Sequence, residues 1–236
     1  MNLIIQGPLI SKTSFLNLSR KTKGSKKAVT FFCISNIEKI LKKYRDKFSY
    51  VIISTWETEK SVMKDLNLLS KKYKFEIIYL KKPSFKYSLE WQINDNRHLQ
   101  YFGALKAVDH INQRKNNRNE ITLRIRTDQY IHLEPIIKQI IINKDQLKEK
   151  ILFPYSLSGD LFSVSDFFIA AHHNLIYKYY KCLFDNLKIP SGSKSLHVDQ
   201  VQKYLDVIKD IENPSKSYSR IFTIVGGDCM QRKLVP

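Results

Sequence analysis

A chain of 236 residues with 43% hydrophobic side chains has enough apolar material for a packed core, which excludes wholesale disorder and favours one large domain over two small ones. A count of 40 Lys and Arg against 22 Asp and Glu leaves a formal net charge of +18, which points either to an anionic partner (nucleic acid, an anionic membrane surface or a phosphorylated small substrate) or to a compositional excess of Lys on solvated faces. The cysteines Cys33, Cys182 and Cys229 are odd in number, far apart and without metal-ligand spacing, so they read as free thiols of a reducing compartment.

In chain order, Asn2 to Gln6 reads as a short buried strand stopped by the turn pair Gly7-Pro8. Ser11 to Lys27 is polar and basic and reads as a loop. Ala28 to Lys43 is expected to be a helix with Phe32, Ile37, Ile40 and Leu41 on its apolar side, although its first residues are β-prone. Tyr50 to Thr55 is the clearest strand, β-branched and apolar. Glu59 to Tyr73 has helical spacing through Val62, Leu66 and Leu69, and Phe75 to Leu80 is a further strand. A long helix is expected over Ile93 to Ile111.

Ile121 to Arg126 alternates apolar and polar residues, the period-2 pattern of a half-buried strand, and delivers Asp128 where the alternation ends. Glu134 to Lys150 reads as helical, and Ile151-Leu152-Phe153 begins an extended segment. Asp166 to Leu187 reads as mostly helical and aromatic, Ser191-Gly192-Ser193 as a break, His197 to Asp210 as a helix and Tyr218 to Val225 as a late strand. Strands alternating with helices predict an α/β fold: a mainly parallel sheet flanked by helices, in a single domain.

Parallel strands place their carboxyl ends along one edge, where α/β sheets bind ligands. Gln6, Ser54, Thr55 and Asp128 are therefore expected to share a crevice, with Trp56 either stacking on a base there or packing over the strand end. Asn94, Arg97 and His98 fall near the start of a helix, where a guanidinium can grip a phosphate; helix capping by Asn94 is the plainer alternative. Asp160 and Asp166 lie in an aromatic region that suits sugar recognition and base catalysis, while Ser165 or Asp166 equally suits an N-cap. His172-His173 resembles a metal pair only superficially, because adjacent helical residues diverge by about 100°. Asp199, near the start of its expected helix, is a second candidate to face a cleft. Phosphate-loop, dinucleotide-binding, serine-elbow and zincin motifs are all missing.

Four short motifs occur in order: Ile4-Ile5-Gln6-Gly7-Pro8-Leu9, Ile52-Ile53-Ser54-Thr55-Trp56-Glu57, Asn94-x-Asn96-Arg97 and Arg124-Ile125-Arg126-Thr127-Asp128. Together with Ser165-Asp166-Phe167-Phe168, this set resembles the WavE family of bacterial lipopolysaccharide-synthesis proteins, over most of the chain. His98 stands where that family has Gln, Arg124 where it has Lys, and the acidic pair of GT-A enzymes is reduced to Thr127-Asp128-Gln129.

The resemblance implies a GT-A-like glycosyltransferase with a nucleotide-binding part over about residues 1–135 and an acceptor part over about residues 136–236. It implies a nucleotide-sugar donor held by Gln6, Gly7, Pro8, Ser54, Thr55, Trp56, Asn94, Asn96, Arg97, Arg126 and Asp128. Asp128 would carry Mg²⁺ or Mn²⁺, and Asp166 or Asp199 would act as catalytic base. The acceptor would be a lipopolysaccharide, capsule or related surface glycan, free or lipid-linked. With no signal peptide evident after Met1 and no apolar run near the roughly 20 residues that span a bilayer, a cytoplasmic protein is expected, with its basic surface peripheral at the inner face of the bacterial plasma membrane. Two alternatives stand beside this reading: a basic, non-catalytic nucleic-acid-binding protein, against which no recognition module is visible, and a nucleotidyltransferase, against which no glycine-rich basic loop follows the first strand. No nucleic-acid partner is expected.

Overall fold

The computed structural model describes residues 1–14, 28–83, 97–114, 119–129, 131–154, 167–185 and 222–225. The chain opens with β1 (Asn2–Gln6), followed by a separate antiparallel ribbon of β2 (Ile10–Ser14) and β3 (Ala28–Phe32). Next come α1 (Ile34–Tyr44), β4 (Tyr50–Trp56), α2 (Lys60–Tyr73) and β5 (Glu76–Leu80). They lead to α3 (Arg97–Asn112), β6 (Ile121–Arg126), α4 (Leu133–Ile142) and β7 (Ile151–Pro154). The last described elements are β8 (Phe168–His172), α5 (His173–Asp185) and β9 (Phe222–Val225).

Seven of the strands form one sheet in the order β5-β4-β1-β6-β8-β7-β9. The first four are mutually parallel, β8 runs antiparallel to both its neighbours, and β7 and β9 are parallel. Side-chain parity assigns the two faces. Leu3, Ile5, Val51, Ile53, Leu123 and Ile125 pack with the apolar stripes of α1, α2 and α4, such as Ile37, Leu66 and Ile136. Ile4, Ile52, Ile169 and Ala171 pack on the other face with Ala104 and Val108 of α3 and Ile176 and Tyr179 of α5. The three-layer arrangement buries the central strands on both sides, and each fully buried Ile or Leu contributes about 1.5–3 kcal/mol relative to exposure.

This double burial corrects the reading of β6. Alternation along Ile121 to Arg126 predicted a strand wet on one face, yet Thr122 and Arg124 are buried under α3 and α5. Three element assignments also change. The start of the polar segment at Ser11 belongs to strand β2. Ala28 to Lys43 divides into β3 and α1 at Cys33, because the β-branched and aromatic run Ala28–Phe32 pairs with β2 before helical spacing begins. The expected helix from Asp166 begins only at His173, since the apolar run Phe168–His172 is inserted between β6 and β7 as a strand. A short apolar run carries no period of its own, so partner strands decide its state.

The helix expected over Glu134 to Lys150 ends at Ile142, and Asn143 closes it by donating its side-chain amide to the Gln139 carbonyl at 2.8 Å. α2 ends on Lys74, whose left-handed backbone (φ 52°) lets its N–H reach the Ser70 carbonyl. The expected helix at His197 to Asp210 lies outside the described residues, as does Ser191-Gly192-Ser193.

Candidate functional site

From β1 the chain reaches β4 on one side of it through the ribbon and α1. From β5 it crosses under α3 to pair β6 on the other side of β1. The connection therefore changes direction between β1 and β6, and the carboxyl ends of those strands flank the crevice that open α/β sheets use for ligands. The sequence motifs at Gln6-Gly7-Pro8 and Arg126-Thr127-Asp128 converge at this switch point.

The convergence is held by a compact set of hydrogen bonds. The Gly7 N–H donates to the Ser54 carbonyl at 3.1 Å, and the Thr127 N–H donates to the Gln6 carbonyl at 3.2 Å. The Thr127 hydroxyl donates to the Pro8 carbonyl at 2.7 Å, and the Asn36 amide of α1 donates to the Thr127 carbonyl at 2.7 Å. Gly7 adopts φ +144°, a backbone region that L side chains avoid, and a Cβ there would lie 2.5 Å from Thr127 Oγ1. Cys33 joins the same knot through its N–H to the Leu9 carbonyl at 2.7 Å. Burial, with the Asp128 charge adding to it, pushes the Cys33 thiol up to about 12, so it is neither nucleophile nor metal ligand at neutral pH.

On the α3 side, Gln6 is 3% exposed and its side-chain carbonyl accepts a hydrogen bond from Nη2 of Arg124, which is 2% exposed. Gly103 of α3 passes close above: a Cβ there would stand 2.9 Å from Gln6 Nε2. The Ser54 hydroxyl donates to the Gly103 carbonyl at 2.7 Å. Gln6 and Ser54 thus fasten α3 to the sheet at the rim of the crevice. Thr55 is buried on the opposite face and pairs with Tyr79 of β5 in the strand register. Trp56, 7% exposed, stacks on Phe102 of α3 with ring planes 11° apart and centroids at 6.2 Å, packing over the strand end.

Arg126 and Asp128 form the rim of β6. Arg126 donates through Nε to Asp128 Oδ1 at 2.8 Å and through Nη2 to Oδ2 at 2.7 Å. This two-pronged geometry engages both carboxylate oxygens and fixes the guanidinium plane. The pair is partly exposed, with side-chain accessibilities of 23% and 13%.

The structure therefore brings together Gln6, Gly7, Pro8, Ser54, Thr55, Trp56, Arg126 and Asp128. Asn94, Asn96, Asp160, Asp166 and Asp199 lie outside the described residues, and of Arg97 only the backbone, as the first residue of α3, is described. Two residues that sequence reasoning did not single out, Asn36 and Gly103, complete the rim together with Arg124 and Thr127, which it named only as members of the fourth motif. A glycine inside an otherwise good helix was the available signal for Gly103, because it marks a close approach. Arg124 was hidden by an alternation that suggested a solvent-facing side chain.

His172 and His173 are far from this edge, at the turn between β8 and α5. Buried His173 shares a hydrogen bond with the Thr122 hydroxyl at 2.9 Å, and Thr122 in turn accepts from the Asn2 amide at 3.2 Å. They form a polar seam at the opposite end of the strands.

A divalent ion on Asp128 does not fit the described side chains. Both oxygens are committed to a cation, Arg124 lies on the same face of β6 as Arg126, two residues before it, and no group of three His, Cys, Asp or Glu converges among the described residues. Nor is any helix among the described residues long and apolar enough to cross a membrane.

No family model matches the chain, and no curated protein matches it. Solved structures resemble it at low identity. A nucleoside-diphosphate-sugar pyrophosphorylase from Vibrio cholerae RC9 aligns over 100% of this chain and 96% of its own at 9% identity, with a TM-score of 0.52. A 4-diphosphocytidyl-2C-methyl-D-erythritol synthase from Anaerococcus prevotii DSM 20548 aligns over 99% and 92% at 15% identity, TM-score 0.49. A glycosyltransferase involved in glycosylation of the PBCV-1 major capsid aligns over 95% and 82% at 8% identity, TM-score 0.48. The chain shares the fold of the Vibrio cholerae pyrophosphorylase, a mostly parallel sheet flanked by helices.

Proposed function

We propose that this protein is a glycosyltransferase that takes its sugar from a nucleoside-diphosphate donor bound at the β1/β6 switch point. The observation that carries the reading is the knot at that point. Gly7, Pro8 and Thr127 shape a fixed crevice wall, and Arg126, held flat by Asp128, stands at its rim. Such a rim suits a donor whose diphosphate gathers negative charge as the glycosidic bond breaks.

The same knot supports sugar transfer over nucleotidyl transfer. A nucleotidyltransferase must cradle a triphosphate, and backbone N–H groups after the first strand are the usual donors. Here the Gly7 N–H is spent on the Ser54 carbonyl, Pro8 has none, and the chain has entered β2 by Ile10. The pyrophosphorylase of similar fold nevertheless makes nucleotidyl transfer the reading to test against.

In the proposed reaction the acceptor hydroxyl oxygen attacks the anomeric carbon, the bond from that carbon to the diphosphate breaks, and the nucleoside diphosphate leaves with the electron pair. Asp166, or Asp199, accepts the acceptor's proton. The ordered motifs that resemble the WavE family support a surface glycan, of lipopolysaccharide or capsule type, as acceptor. The net charge of +18 supports a location at an anionic membrane face, near a lipid-linked acceptor.

The test is a product assay. The protein is given UDP-, GDP-, CMP- and dTDP-sugars in one series and nucleoside triphosphates with sugar 1-phosphates in another. Release of a nucleoside mono- or diphosphate from a sugar nucleotide is expected, and Asp166→Asn is expected to abolish it with binding retained. Pyrophosphate release in the second series instead would establish the nucleotidyltransferase reading.

A further inference from the structure

The expected metal carboxylate is already engaged, and by an arginine of its own strand. Thr127 between the two residues is pinned by Gln6, Pro8 and Asn36, which fixes the backbone from which Asp128 projects. Its two oxygens meet Nε and Nη2 of Arg126 at 2.8 and 2.7 Å. A divalent ion would have to displace that fork and sit beside the displaced guanidinium, with Arg124 on the same face two residues back along β6. Hard cations need several oxygen ligands, and among the described residues no other acidic, histidine or cysteine side chains gather here.

We propose that Asp128 is a positioning residue for Arg126 rather than a metal ligand, and that the donor's diphosphate is neutralised by arginine without a divalent ion. The proposal rests on the reading of the crevice as a nucleoside-diphosphate site. It assigns the carboxylate that remains of the acidic pair the role of fixing the plane and position of the guanidinium. Arginine matches a phosphate through two parallel N–H groups, so loss of that orientation weakens binding even though the charge stays.

Isothermal titration of the full chain with UDP, GDP, CDP and dTDP, in EDTA and in Mn²⁺, tests this directly. At least one nucleoside diphosphate is expected to bind with dissociation constants within about twofold of each other in the two buffers. Asp128→Asn and Arg126→Lys are each expected to weaken that binding about tenfold in both buffers. The double variant should be little worse than either, because Asp128 acts through Arg126. Electron paramagnetic resonance of Mn²⁺ mixed with the wild-type protein should show the free-ion signal undiminished.

Binding that requires Mn²⁺, or Asp128→Asn binding as tightly as wild type in EDTA, overturns the proposal and leaves the glycosyltransferase reading standing. Binding of no nucleoside diphosphate in either buffer overturns both. Thermal melts of each variant identify one that fails to fold, and the wild-type comparison between buffers decides the matter without any variant.

Discussion

Gly7 and Thr127 meet so closely that a Cβ on Gly7 would lie 2.5 Å from Thr127 Oγ1, inside any real carbon–oxygen contact. That contact joins the ends of β1 and β6, and Gly7 adds a backbone φ of +144°. Gly7→Ala is expected to destabilise the protein by about 2–4 kcal/mol, from backbone strain and the clash together. Urea unfolding of Gly7→Ala, Thr127→Ala and the double variant checks it. The double variant should recover part of the loss, since removing Oγ1 removes the clash and leaves only the strain. Simple additivity would mean the two residues do not interact.

Gln6 and Arg124 form a second relationship across the same strands. Gln6→Ala leaves a buried guanidinium short of an acceptor and is expected to cost about 1.5–3 kcal/mol of unfolding free energy. Gln6→Glu keeps an acceptor in place and should cost less. A Gln6 whose main duty is to touch the nucleotide would behave otherwise: Gln6→Ala would melt like wild type and lose only ligand affinity.

Trp56 is packed against Phe102 and is expected to serve the core. Trp56→Ala should lose about 3–5 kcal/mol, and Trp56→Phe, which keeps an aromatic face against Phe102, should lose less. A base-stacking Trp56 would show the reverse pattern, with normal unfolding and weakened nucleoside diphosphate binding.

His173 links stability to pH. Burial lowers its pKa from 6.5 to about 4, so the folded protein keeps it neutral where the unfolded chain binds a proton. The stabilisation is complete above pH 6.5 and is lost as pH falls through about 4, by about 3 kcal/mol for the whole shift. Urea midpoints measured across that window should fall for wild type and stay flatter for His173→Gln. Equal slopes in the two proteins would remove His173 as the cause.

Much of the sheet was readable because its central strands carry continuous β-branched runs. Leu3-Ile4-Ile5 and Val51-Ile52-Ile53 have no polar residue to mislead, and the stripe of α2 is long enough to show a helical period. Phe168–His172 failed for the complementary reason. Four apolar residues and a histidine next to a true helical pattern are consistent with either state, and only the slot between β6 and β7 made them a strand. Of the candidate site, the strand-end positions of Gln6, Gly7, Pro8 and Asp128 were legible because Gly-Pro and a strand-end carboxylate are local signals. The roles of Asn36, Gly103 and Arg124 were not, since they come from partners 49 to 118 positions away: Thr127 for Asn36 at 91, Gln6 for Arg124 at 118, and Ser54 for Gly103 at 49.

By itself the sequence determined the alternation of strands and helices, and so a mostly parallel α/β sheet with polar residues at its strand ends, because periodicity and turn chemistry act over a few neighbours. Tertiary structure decided what those polar residues do. It turned Gln6 inward to Arg124, laid Trp56 on Phe102 and closed Asp128 onto Arg126. Each outcome depends on which partner the fold carries to that edge, and hydrogen bonds and ion pairs form only within a few ångströms.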